Sequence, residues 1–181
     1  STAWNKLPVS RPALSTAPVK RKEGSLGIDI AATSAIVIDA DSGAVLFEKN
    51  ADAVVQVASL TKLLTAMTFL DLKPDFSQTV TIVPSDDPKL GRTILPTSER
   101  FTTQEIFDAM LIGSVNESAN ALARTTVGTE EFVKKMNEKA QTLGLKHLSF
   151  TDPSGEGSRN VGTAREMAQA LKFAAAYPEV T

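Results

Sequence analysis

Ser59 and Lys62, in the run Ser59-Leu60-Thr61-Lys62, are a pair whose types and spacing could do chemistry together. On a helix that starts at Ser59 they are one turn apart and share a face. A serine hydroxyl is a weak nucleophile until a base takes its proton. A lysine can be that base when desolvation or a neighbouring cation lowers its pKa enough to leave it neutral. A helix N-terminus also aims backbone N–H groups at developing negative charge, as an oxyanion requires. Alone, this spacing is weak, because about one such match per protein of this size is what chance gives. An N-cap serine followed by a solvent-facing lysine is the better reading of the isolated motif.

A second candidate, Ser114-Val115-Asn116, follows Gly113 and so falls in a loop between two helices. Such a loop can present a hydroxyl as a proton relay and an amide that holds a substrate backbone. Taken singly, it reads better as helix capping and turn formation. The third is Phe150-Thr151-Asp152-Pro153-Ser154-Gly155, followed by Asn160 and Thr163-Ala164. Asp-Pro and Ser-Gly are turn chemistry, and alone they give an ordered loop before a helix.

These candidates need elements to position them. Ser34 to Ala40 is rich in β-branched residues, Asp41-Ser42-Gly43 is a turn signal, and Ala44 to Glu48 returns, so the segment predicts an antiparallel hairpin. Thr79 to Val83 predicts a short strand closed by Pro84. After Ser59, Leu60, Leu63, Leu64, Met67 and Leu70 recur at helical spacing as far as Leu72. Thr102 with Glu105 forms a capping-box pattern before Ile106, Phe107, Met110 and Leu111, with Gly113 as a stop. Alanine-rich Glu117 to Thr126 predicts a further helix. Another starts around Thr129, with Glu130 and Glu131 in its first turn, and runs to Leu143 with Gly144 beyond its end. Thr163 with Glu166 forms a second capping-box pattern, opening a helix through Met167, Leu171 and Ala175 that stops near Pro178. A hairpin followed by a helix-rich middle, without βαβ alternation, predicts an α+β fold.

Composition narrows the chemistry. The chain has 181 residues, enough for one domain with a buried core. Nineteen Lys and Arg against twenty-one Asp and Glu give a formal charge of −2, which argues against a nucleic-acid partner. No apolar run approaches the roughly 20 residues of a membrane-spanning helix. With no cysteine and the single His147, thiolate nucleophiles, cysteine metal sites and Ser-His-Asp triads are excluded or poor fits. Catalysis would fall to Ser, Lys, Asp, Glu, Asn and Arg, with no metal and no cofactor. Absence of cysteine leaves the compartment open.

Residues 1–27 differ from the rest. They carry Pro8, Pro12, Pro18 and the cluster Lys20-Arg21-Lys22, with five basic residues against Glu23. This composition predicts an extended linker, with weak association with an anionic membrane or envelope surface as the functional alternative. The chain opens on Ser1 rather than Met, which fits a removed leader. His147, Arg92, Arg100 and Arg165 read as surface or structural pairing residues. Met67, Met110, Met136 and Met167 read as core.

In conjunction, and in this order, the motifs carry more information. The chain resembles the penicillin-recognising serine D,D-peptidases, the low-molecular-mass penicillin-binding proteins that act as D-alanyl-D-alanine carboxypeptidases or endopeptidases. The resemblance rests on ASLTKLLTAM at 58–67, AMLIGSVNESANALA at 109–123 and LSFTDPSGEGSRNVGTAREMAQAL at 148–171. It extends to the hairpin AIVIDADSGAVLFEKNAD and runs from about Ala35 to Tyr177. It implies a β-lactamase/D,D-peptidase-like fold over residues 28–181, with an antiparallel sheet against helices, a mainly helical lobe and the site between them. It makes Ser59 the acylated nucleophile, Lys62 its general base, Ser114 a proton relay to the leaving group and Asn116 a binder of the substrate backbone. The implied partners are peptidoglycan stem peptides, with β-lactams as covalent inhibitors, and the implied location is the periplasm or extracytoplasmic cell envelope.

Two departures accompany the resemblance. The family has a later Lys-Thr-Gly strand, and Ala164 to Thr181 contain none. The expectation is therefore an incomplete catalytic domain lacking its C-terminal strands, with an unpaired strand edge and an exposed apolar helix face. Second, Glu156 stands after Gly155, where the family more often has leucine. Two other functions compete. One is a non-catalytic or truncated module that binds peptidoglycan or penicillin. The other, a class A-like β-lactamase, would require a glutamate that activates water, and Glu156 sits in a loop whose setting matches the peptidases instead.

Overall fold

A computed structural model describes Pro18, Gly24 and residues 28–87 and 93–181. Most of the expected 1–27 linker, including Trp4 and the basic cluster, lies outside the described residues, as does Arg92.

The expected hairpin is β1 (Ala35–Ile38) against β2 (Val45–Lys49), antiparallel, with a register shift between Val37 and Ile38. Asp39 accepts the Ser42 backbone N–H at 2.7 Å, which closes the turn. The strands are shorter than the apolar run suggests because this loop and the bulge take up residues at the tip. β3 (Val55–Gln56) pairs with β6 (Val161–Gly162), and β4 (Thr79–Thr81) pairs with β5 (Arg100–Thr102), both antiparallel. β3, β5 and β6 are too short to leave a periodic signal in sequence. The β3–β6 pair matters most for the site, because it ties the approach to Ser59 to the end of the 150–160 loop.

The helices are α1 (Thr61–Asp71), α2 (Thr103–Ile112), α3 (Asn116–Thr126), α4 (Thr129–Thr142) and α5 (Ala164–Ala174). α1 is the hub, packing on α2, α3, α4 and α5. Its Leu64, Ala66, Met67 and Phe69 are buried with Ile106, Phe107, Met110, Leu122, Phe132 and Met136. Each such large side chain contributes about 1.5–3 kcal/mol by leaving water. Phe69 stacks on Phe107 at 5.7 Å, and Phe76 meets Phe107 edge-on at 5.5 Å. All four methionines read as core are buried. Leu60, read as the first apolar position of α1, is instead 52% exposed. It belongs to a short 3₁₀ turn, Ala58–Leu60, that precedes the helix.

Helix ends follow the capping chemistry in part. Thr102 and Glu105 form the complete reciprocal box at α2. Thr163 accepts the Glu166 backbone N–H at α5, but the Glu166 carboxylate does not return to it. It accepts from His147 N–H and meets His147 Nδ1, both at 2.8 Å. His147 therefore joins the α4–β6 connection to α5. Arg165 bridges Asp52 and Glu48, fixing α5 to β2 and the segment after it.

α5 packs on β1, so the hairpin lies against helices, and the α1–α4 bundle forms the helical part. Among the described residues β1 and β2 pair only with each other. Val37, Val45, Leu46 and Leu171 are each about half exposed along the hairpin and α5.

Candidate active site

The expectation that a helix begins at Ser59 is corrected in one respect: Ser59 occupies the 3₁₀ turn, and α1 begins at Thr61. Lys62 follows in the first turn of α1, three residues on, and still comes back over Ser59. Lys62 Nζ donates to Ser59 Oγ at 3.1 Å. Ala58, immediately before the serine, has φ +44°, a left-handed conformation that costs a non-glycine residue about 1–3 kcal/mol.

Two further segments converge on Lys62. Its Nζ donates to Asn116 Oδ1 at 2.7 Å and to the Ser154 carbonyl at 2.7 Å. Lys62 is 3% exposed, while Ser59 stands exposed. A buried amine beneath an accessible hydroxyl is the arrangement a serine nucleophile with a lysine base requires. Burial pulls the Lys62 pKa down to about 8, against the opposing pull of Asp152, Glu156 and Glu117.

Ser114 lies in the left-handed region as well, at φ +56°, on the connection from α2 to α3. Together with Ser59 and Lys62 it lines a pocket of about 470 Å³. The pocket's other walls are largely apolar, including Leu63, Met110, Met167 and Leu171. Asn116 opens α3. Ser59, Lys62 and Asn116 are thus hydrogen-bonded together, and Ser114 faces the same space.

The 150–160 loop is more than the turn its composition indicates. Asp152 Oδ1 accepts from Ser154 N, Ser154 Oγ and Gly155 N. Asn160 is fully buried; its Oδ1 accepts from Thr151 N at 2.8 Å and its Nδ2 donates to Thr61 Oγ1 at 3.1 Å. Thr65 Oγ1 donates to the Pro153 carbonyl at 2.6 Å. These contacts moor the loop to α1 and hold the Ser154 carbonyl on Lys62. Thr61 and Thr65 have no role in the sequence reading, and Asp152, Ser154 and Asn160 enter it only as parts of an ordered loop. The Asp-Pro-Ser-Gly turn and Asn160 were the available signals, but composition does not show which way a loop folds.

The described residues contain no cluster of three or more His, Cys, Asp or Glu suited to a metal ion.

A serine hydrogen-bonded to a buried lysine thus stands opposite a Ser-x-Asn loop, between a hairpin-backed helix and a helical bundle. The family model described as D-alanyl-D-alanine carboxypeptidase matches residues 18–180, and the chain belongs to that family. It is 33% identical over 169 residues to a D-alanyl-D-alanine endopeptidase of Pseudomonas aeruginosa, covering 92% of this chain and 54% of the relative. The fold matches the crystal structure of a D-alanyl-D-alanine carboxypeptidase from Mycobacterium tuberculosis, with a TM-score of 0.76 and 32% identity, over 87% of this chain and 61% of that one. It also matches penicillin-binding protein D2 of Listeria monocytogenes in its cefotaxime-bound form, with a TM-score of 0.76 and 28% identity, over 86% and 66% of the two chains. The chain spans about half the length of the curated relatives it matches. The β-lactamase/D,D-peptidase-like fold is thereby established, as the α+β reading anticipated.

Proposed function

We propose that this chain carries the acylating machinery of a serine D,D-peptidase acting on D-alanyl peptide bonds of peptidoglycan stem peptides. The supporting observation is the 3.1 Å contact between buried Lys62 and exposed Ser59. In its neutral form Lys62 takes the Ser59 proton as Oγ attacks the carbonyl carbon of a D-alanyl residue. The tetrahedral intermediate collapses, the C–N bond breaks, and the leaving amine receives a proton by way of Ser114. The resulting ester on Ser59 is hydrolysed by water, which frees the serine. Asn116 holds the peptide backbone of the substrate. A β-lactam carbonyl takes the place of the peptide carbonyl and acylates the same oxygen.

In this reading the chain acts in the extracytoplasmic envelope, where its polymer substrate lies, and residues 1–27 are a basic linker to the catalytic domain at 28–181. Among the described residues no helix is long and apolar enough to cross a membrane.

The test is intact-protein mass spectrometry after incubation with a penicillin. The expected result is a covalent adduct on the wild-type chain and none on Ser59→Ala. Absence of an adduct on a folded wild-type chain overturns the acylation reading in favour of a non-catalytic binding module.

A further inference from the structure

Ser59 is exposed, while Val57 and Thr61, two residues to either side of it, are buried. Both flanking residues are held by the same partner. Val57 N–H donates to the Asn160 carbonyl at 3.1 Å, and Asn160 Nδ2 donates to Thr61 Oγ1 at 3.1 Å. The turn between them is closed by Leu60 N–H on the Val57 carbonyl at 3.0 Å and contains Ala58 at φ +44°. A non-glycine residue keeps such a conformation only where its surroundings impose it.

Asn160 is fully buried, and both hydrogens of its amide are used. The second goes from Nδ2 to the Asp152 carbonyl at 2.9 Å. Its Oδ1 accepts the Thr151 N–H at 2.8 Å. The amide can point only one way, because the Thr151 N–H can only donate and the Asp152 carbonyl can only accept. The Val57 bond continues the β3–β6 ladder and is open to any residue at position 160. The Thr61 bond is different, since it needs a side-chain donor that reaches past the serine to the start of α1.

We propose that Asn160 is a positioning residue for the nucleophile, gripping the turn on both sides of Ser59 and so setting where Oγ lies relative to Lys62. This rests on the reading of Ser59 as the nucleophile. The same amide holds Thr151 and Asp152, in the loop whose Ser154 carbonyl accepts from Lys62 Nζ at 2.7 Å. One side chain thereby ties the segment bearing the serine to the segment that orients the lysine. Its effect falls on the alignment of the reacting pair, and hence on the chemical step more than on binding.

The experiment separates those two. Thr61→Val removes the acceptor and keeps the branched shape, whereas Thr61→Ser keeps the hydroxyl. Penicillin acylation is resolved into non-covalent affinity and the rate of ester formation at saturation, on chains shown to be folded by circular dichroism. In Thr61→Val the ester-forming rate should fall by about tenfold to a hundredfold, with the affinity little changed. Thr61→Ser should recover most of the loss. Asn160→Ala, which removes the donor itself, should show the same split, and if it does not fold the two Thr61 variants decide. Amide hydrogen exchange at Val57 and Leu60, read without penicillin, should quicken by about tenfold or more in Thr61→Val. A wild-type rate of ester formation in folded Thr61→Val overturns the proposal, and so does unchanged exchange at the turn. Failure of the wild-type chain to take up penicillin overturns the Ser59 reading instead, and the exchange rates then still decide whether Asn160 grips the turn.

Discussion

Gly155 lies directly on the carbonyl of Ala58, the residue before the serine: a Cβ at Gly155 would overlap that oxygen and come within 2.7 Å of Thr61 Oγ1. Gly155 also has φ +80°, which an L side chain rarely tolerates. Gly155→Ala must push the loop off the 3₁₀ turn, withdrawing the Ser154 carbonyl from Lys62. The expected outcome is a loss of about 2–4 kcal/mol of stability, with strongly reduced penicillin uptake. Denaturant unfolding and adduct mass check the two parts.

Lys62→Met preserves much of the length and apolar bulk of the side chain and removes the proposed base. Acylation of Ser59 should slow by about 10²–10⁴-fold. Asn116 Oδ1 and the Ser154 carbonyl lose their donor, at about 1–3 kcal/mol, offset by no longer burying an amine. Stopped-flow or mass-spectrometric acylation rates alongside a melting curve separate chemistry from folding.

The pH profile follows from the Lys62 pKa of about 8. The proposed base works only when neutral, so acylation should climb through pH 8 and level off above it. At pH 7 about a tenth of the molecules hold the neutral lysine. Stability should move the same way. The unfolded chain keeps this lysine protonated up to its ordinary value of 10.5, while the folded chain releases the proton near 8. Between those values the unfolded state binds more protons, so the penalty of burying the charge is present below pH 8 and is relieved as pH rises towards 10.5. A flat acylation profile from pH 6 to 10 would contradict this assignment.

Arg124→Met isolates a buried carboxylate. Asp86 is 1% exposed, and its two oxygens take the Arg124 guanidinium at 2.7 and 2.8 Å. Removal of the cation should cost about 3 kcal/mol, read from denaturant unfolding near neutral pH. Arg124 lies outside the pocket, so the acylation rate of the folded variant should remain near wild type.

The long elements were legible because each carries its own signal. The hairpin has a turn between β-branched runs, α2 has a reciprocal capping box, and α4 has an acidic first turn. What escaped depends on partners distant in sequence. The two-residue strands β3 and β6 exist only through each other. Glu166 completes a box pattern on paper, yet its carboxylate goes to His147, a residue 19 positions away. At the site, Ser59, Lys62, Ser114 and Asn116 were named through the order of three motifs and the family resemblance they carry, and the structure brings Ser59, Lys62 and Asn116 into hydrogen-bond contact. Thr65 could not, and Asn160 could be named only as part of a loop, because their importance lies in mooring a loop whose path no local pattern specifies.

Lys62 finds its three acceptors 3, 54 and 92 residues along the chain. Contacts of such separation form late, since loop closure must be paid for before they are rewarded. A partly folded chain can contain α1 and the Ser59–Lys62 pair without Asn116 or Ser154 in place. If Ser59 is acylated as proposed, its covalent labelling by a fluorescent penicillin is a clock for folding, registering the moment when three remote segments have met. Refolding followed by this label should lag behind the recovery of helical circular dichroism.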